Sequence, residues 1–136
     1  MLTFSDVSFS YDGLIPVVEN LSFSIQKGEC VGLIGANGAG KSTVMRLLLG
    51  LLQGRGEIFV DGLKVEKQNL PAIRQKVGFV LQDSDNQMFM PTVCEDMLFG
   101  PRNYGLSRED AEARIDRVLG ELHLESLKYR HNHKLS

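Results

Sequence analysis

Gly35-Ala36-Asn37-Gly38-Ala39-Gly40-Lys41-Ser42-Thr43 decides how the chain is read. The stretch fits the pattern G-x-x-x-x-G-K-[ST], with Gly35, Gly40, Lys41 and Ser42 at its four fixed positions. Gly35, Gly38 and Gly40 let the backbone curl into a concavity whose N–H groups converge on an anion. The start of a helix adds a partial positive charge there. Lys41 suits the β- and γ-phosphates as a point charge, the Ser42 hydroxyl offers a hard oxygen to magnesium, and Thr43 can hydrogen-bond an α-phosphate. Asn37 and Ala39 complete the loop.

The flanks give the loop the context it needs. Cys30-Val31-Gly32-Leu33-Ile34, just upstream, is a continuous apolar run of strand length, which predicts a strand buried on both faces of a parallel sheet. Downstream, Val44, Leu47, Leu48 and Leu51 recur at i, i+3, i+4 and i+7. That spacing predicts an amphipathic helix from about Lys41, ended by Gly54.

Farther out, Leu2, Phe4, Val7 and Phe9 lie near alternation up to a turn at Tyr11-Asp12-Gly13. Val17-Val18 through Ile25 reads as a second strand, and Glu57 to Val60 before Asp61-Gly62 as a third. Together they predict a small antiparallel layer. Pro71 suits the first turn of a short helix through Gln75, and Val77 to Leu81 again has buried-strand composition, with Gln82 at its end. Thr92 to Phe99 is predicted helical, bracketed by Pro91 and Gly100-Pro101. Ser107 with Asp110 resembles a capping box at the start of a helix whose apolar stripe is Ala111, Ile115, Val118, Leu119 and Leu122.

A chain of 136 residues holds one hydrophobic core, and its 43% hydrophobic and 24% charged residues are those of an ordinary globular protein. A net charge of -2 with no basic cluster speaks against direct nucleic-acid binding. No apolar run is long enough to cross a bilayer, and the N-terminus lacks the pattern of a signal peptide, so a cytoplasmic chain is expected. Cys30 and Cys94, far apart, are expected as free thiols, buried or half-buried. Asp83 and Asp85 read as a solvated loop rather than an acid/base pair. His131 and His133 lack a third ligand at metal-site spacing.

Along its whole length the sequence resembles the ATP-binding cassette (ABC) transporter ATPases. The resemblance rests on Phe9-Ser10-Tyr11, on the loop's Gly-Ala-Asn-Gly-Ala-Gly-Lys-Ser-Thr form, on Gly56-Glu57-Ile58 with Asp61-Gly62, and on Phe79-Val80-Leu81-Gln82. It implies an α/β fold: a P-loop NTPase core with an antiparallel β layer and the beginning of an α-helical subdomain, an incomplete ABC nucleotide-binding domain. Residues 1–136 would form the N-terminal part of that one domain, with the nucleotide-binding core over about 1–85 and the helical subdomain over about 86–136. The resemblance implies ATP and Mg2+ as cofactors. Tyr11 would stack on adenine, and Gln82 would approach magnesium alongside Ser42. A guanine-reading Asn-Lys-x-Asp motif does not occur.

Gln82 to Phe89, Pro91-Thr92-Val93, Glu95-Asp96 and Phe99-Gly100-Pro101 are similar to the energy-coupling-factor or cobalt-type importers, which carry cobalt, nickel or vitamins. Cys94 stands where those relatives often carry an acidic residue. The similarity implies a second ABC ATPase subunit, a transmembrane coupling protein and a substrate-capture subunit as partners, at the inner face of the membrane. Met88, Phe89 and Met90 read either as a docking surface for that membrane partner or as local core. The chain ends at Leu135-Ser136, where family members begin the Leu-Ser-Gly-Gly-Gln signature. The Walker B Asp, the catalytic Glu and the switch His would follow, so no catalytic residue is assignable. The chain alone is therefore expected to bind ATP without efficient hydrolysis. The alternatives are a nucleotide-binding module without turnover and an ATPase of another ABC transporter subfamily.

Overall fold

The computed structural model describes residues 1–82 and 87–135. The chain forms two compact units, Met1–Gly78 and Phe79–Ser136.

In the first unit, β1 (Leu2–Phe9) pairs antiparallel with β2 (Val18–Ile25) on one side and β3 (Arg55–Val60) on the other. A short β4 (Leu63–Lys64) extends the sheet beyond β3, giving the order β2-β1-β3-β4. The expected antiparallel layer is thus present, and β4 is an addition to it.

β1 does not alternate regularly. Phe4 and Val7 are three residues apart, which in an even strand would put them on opposite faces. Both are nonetheless buried, at 2% and 1% exposure. A bulge between them resolves the conflict: Ser5 pairs with Glu57 and Ser8 with Arg55, so β1 spends one residue more than β3. Asp6 takes a left-handed φ of 50° in the bulge, and Gly56 opposite it takes φ 84°. A Cβ on Gly56 would come within 2.6 Å of the Ser5 carbonyl, so the position needs glycine twice over. Phe4 also stacks on its cross-strand partner Phe23, ring centroids 4.6 Å apart.

Helix α1 (Lys41–Leu48) follows the loop as predicted and contributes Val44 and Leu47 to a core shared with Phe4, Val7 and Val18. It stops earlier than Gly54. The Leu51 N–H donates to the Arg46 carbonyl and the Gly50 N–H to that of Leu47, with Gly50 at φ 63°. This pair of reversed bonds around a left-handed glycine is a Schellman C-cap, and it turns Leu51 out to solvent at 58% exposure. Helix α2 (Leu70–Arg74) has Pro71 in its first turn, buries Ile73, and sends the Arg74 guanidinium to the Leu49 carbonyl at 3.1 Å.

The second unit is helical. Helix α3 (Val93–Asn103) continues four residues past the predicted end at Phe99. Pro101 lacks only one N–H and sits in the last turn, so the helix closes through Tyr104 N–H bonds to the Gly100 and Pro101 carbonyls instead of breaking. Helix α4 (Arg108–Leu122) buries Ala111, Ile115 and Leu119 as predicted; Val118 is half-buried and Leu122 exposed. The tail holds the start of α3, with Cys94 N–H donating to the Lys128 carbonyl at 2.8 Å and Asn132 Nδ2 to that of Met90 at 2.8 Å.

Two expected strands do not form. Cys30–Ile34 and Val77–Leu81 are irregular and join no sheet among the described residues. Ile34 is 95% exposed and Val80 78%. A strand buried on both faces exists only between neighbours that satisfy its N–H and C=O groups. The four-stranded sheet does not supply them. Cys30 is accordingly exposed, against expectation, while Cys94 is buried; both are free thiols.

Candidate phosphate-binding site

The loop meets α1 through two left-handed glycines, Gly38 at φ 83° and Gly40 at φ 85°. Gly40 is the N-cap of α1 and offers no side-chain cap, and the first turn of α1 contains no acidic residue. The orphan N–H groups that every helix start presents are therefore left for an external acceptor. Gly40 is also fixed by packing. A Cβ there would stand 2.8 Å from the Val17 carbonyl, just ahead of β2. Gly35 closes the other side of the curl, where a Cβ would meet that of Ala39 at 3.3 Å. The Ala39 N–H donates to the Ala36 carbonyl at 3.2 Å, and Asn37 is exposed in the turn between.

Lys41 is the first residue of α1, and its Nζ donates to the carbonyls of Gly35 and Ala36, each at 2.7 Å. The ammonium thus spans the loop from the helix start back to its first residues. Ser42 is exposed, its hydroxyl open to a ligand. Thr43 points inward at 5% exposure.

Tyr11 reaches the same place from the end of β1. Its hydroxyl lies 3.2 Å from Thr43 Oγ1, and its ring meets Phe9 edge-on at 4.8 Å. The side chain remains 58% exposed. The Thr43 hydrogen bond draws its phenol below the ordinary pKa; partial desolvation opposes this, and the neighbouring Arg46 cation adds to it. Asp12 fixes the next turn: its Oδ1 accepts from the N–H groups of Leu14 and Ile15 and from Ser10 Oγ. Those bonds, led by the one from Ile15, lower the Asp12 carboxyl from 3.8 to about 2. The sequence marked Asp12-Gly13 as a turn and gave Arg46 no role at this site. Nothing local connects residue 46, or residue 43, to residue 11.

The structure therefore brings Tyr11 together with Gly35, Asn37, Gly38, Ala39, Gly40, Lys41, Ser42 and Thr43 in one unit. Gln82 belongs to the other unit and is exposed. Asp83 and Asp85 lie outside the described residues. Phe89 is exposed and packs edge-on against Phe99 at 4.8 Å, while Met88 and Met90 are half-buried. His131 and His133 stand 5.4 Å apart between ring centroids, and among the described residues no group of three His, Cys, Asp or Glu could hold a metal ion. Among those residues no helix is long and apolar enough to cross a membrane.

The loop chemistry fits a phosphate chain and its metal. A cation, an uncapped helix start and an exposed hydroxyl meet at one glycine-built curl, with an antiparallel layer packed behind it. This is an α/β fold of the ABC ATPase kind. The ABC transporter family model matches residues 18–136, and the chain belongs to that family. It is 41% identical to the energy-coupling factor transporter ATP-binding protein EcfA of Methanothermobacter thermautotrophicus, a match that covers 100% of this chain and 45% of that protein. It is 42% identical to EcfA1 of Oceanobacillus iheyensis, over 100% of this chain and 50% of that one. The structure of cbiO1 from Clostridium perfringens, part of the ABC transporter complex cbiONQ, superposes with a TM-score of 0.86 at 30% identity. That match covers 99% of this chain and 55% of cbiO1. The chain spans about half the length of the curated relatives it matches.

Proposed function

We propose that the chain is the nucleotide-binding front of an energy-coupling-factor type importer ATPase, which binds ATP with Mg2+ to drive uptake of cobalt, nickel or a vitamin. The observation that carries this reading is the start of α1, where Lys41 and uncapped helix N–H groups converge on a loop shaped by Gly38 and Gly40. The names of the EcfA relatives support the importer class. Tyr11 stacks on adenine. Lys41 and the loop N–H groups hold the phosphates, and Ser42 with Gln82 serves the magnesium. Residues to about 85 form the core and those from about 86 the helical subdomain of one domain. Partners are a second ABC ATPase subunit, a transmembrane coupling protein and a substrate-capture subunit, and the protein works at the inner face of the cell membrane.

Binding and turnover make different demands. The groups gathered at the loop neutralise and orient phosphate, whereas hydrolysis also needs a group that positions the attacking water. No residue of the site described above has that role. The 136-residue chain alone is accordingly a binder with little turnover. Phosphate release from ATP by the purified chain decides the point: a background rate is expected, and steady release that Lys41→Ala abolishes would overturn it.

A further inference from the structure

Resting on the nucleotide reading above, we propose that the Tyr11 hydroxyl is a positioning group: by donating to Thr43 Oγ1 it directs the Thr43 hydroxyl proton toward the phosphate chain of the nucleotide. The ring of Tyr11 and its hydroxyl then serve separate ends. The ring meets the base, and the hydroxyl acts through Thr43.

Proton bookkeeping carries the assignment. Each hydroxyl has one proton to donate and lone pairs to accept with, and in the 3.2 Å contact between Tyr11 and Thr43 either oxygen can be the donor. A phosphate oxygen only accepts. If Thr43 gives its proton to phosphate, the phenol must give its own to Thr43. The two bonds then run in one direction, each polarising the next. Without the phenol, a threonine in the first turn of a helix turns its hydroxyl onto a carbonyl three or four residues back, here that of Gly40 or Ala39.

The phenol is also held in place before any ligand arrives. Ser10 and Asp12 lock the turn that follows β1: Asp12 Oδ1 accepts at 2.8 Å from Leu14 and 3.0 Å from Ile15, and Ser10 Oγ accepts from Gly13 at 3.0 Å. Phe9 fixes the ring edge. A side chain needed only as a stacking face has no use for the hydroxyl contact with Thr43.

Binding of ATP and of inorganic tripolyphosphate to the whole chain, with magnesium, tests this by calorimetry. Tripolyphosphate has no base, so a loss seen with it cannot come from stacking. Tyr11→Phe keeps the ring and is expected to weaken both ligands about fivefold, the worth of one hydrogen bond. Thr43→Val is expected to weaken both similarly, and adding Tyr11→Phe to it to cost nothing more. Thr43→Ser, which keeps a hydroxyl, is expected to restore the sensitivity to Tyr11→Phe, and it serves in place of Thr43→Val if that variant misfolds. Tyr11→Phe that leaves tripolyphosphate binding unchanged, or losses that add in the double variant, would overturn the proposal while leaving nucleotide binding intact. Parent binding that ignores Lys41→Ala, or no parent binding, would instead bring down the nucleotide reading and this proposal with it.

Discussion

Helices α1 and α3 begin in opposite ways. At α3, Thr92 and Glu95 form a full capping box: the Thr92 side chain accepts from the Glu95 N–H at 3.3 Å and the Glu95 carboxylate accepts from the Thr92 N–H at 3.2 Å. Glu95 and Asp96 add negative charge to its first turn, and α4 repeats the theme with Ser107, Glu109 and Asp110. At α1 every such device is missing: the N-cap is a left-handed glycine, no side chain caps, and the first turn carries Lys41 and no acid. A cap and a bound anion compete for the same N–H groups. The α-helices of the second unit are capped by side chains at their starts; in the first unit neither α1 nor α2 is, and at α2 Pro71 fills one of the open positions without an N–H, whereas α1 keeps all of its own.

Substitutions at the two starts should accordingly separate binding from stability. The largest effect belongs to Lys41→Ala, which should weaken ATP about 100-fold, as expected for losing a charge-assisted contact to phosphate, with a smaller loss of stability from the Nζ bonds to the Gly35 and Ala36 carbonyls. Equal losses in affinity and stability would erase the distinction. Gly40→Ala should destabilise the first unit by about 2 kcal/mol, because alanine resists φ 85° and its Cβ would approach the Val17 carbonyl. Denaturant unfolding measures this. Thr92→Ala should cost about 1 kcal/mol in the second unit and leave ATP affinity unchanged.

The smallest effect is one of pH. Asp12 titrates at about 2 in the folded chain against an ordinary 3.8. Its contribution is thus complete above about pH 4 and lost as pH falls toward 2. The amide signals of Leu14 and Ile15 should follow that titration by NMR. In Asp12→Asn they should be insensitive over the same window.

What could be read from residue order alone follows from which interactions are local. Loop, helix start and antiparallel layer were legible because glycine chemistry, i to i+4 spacing and near-alternation report on neighbours in sequence. The bulge at Asp6 was visible only as the odd spacing of Phe4 and Val7. Gly50, not Gly54, ends α1, since both are glycines and only the Schellman bonds tell them apart. The runs Cys30–Ile34 and Val77–Leu81 have the composition of buried strands, but composition describes what a segment suits, and strand formation depends on partners elsewhere. The Tyr11 contact with Thr43 joins residues 32 apart and left no local trace.

The unlike fates of the two cysteines make the chain its own reporter. Cys30, in the stretch leading to the loop, is open, and Cys94, in the first turn of α3, is closed. An alkylating reagent should therefore consume one thiol at once and the other only when the helical unit opens. The slow phase of that reaction times the opening of α3 with no label introduced.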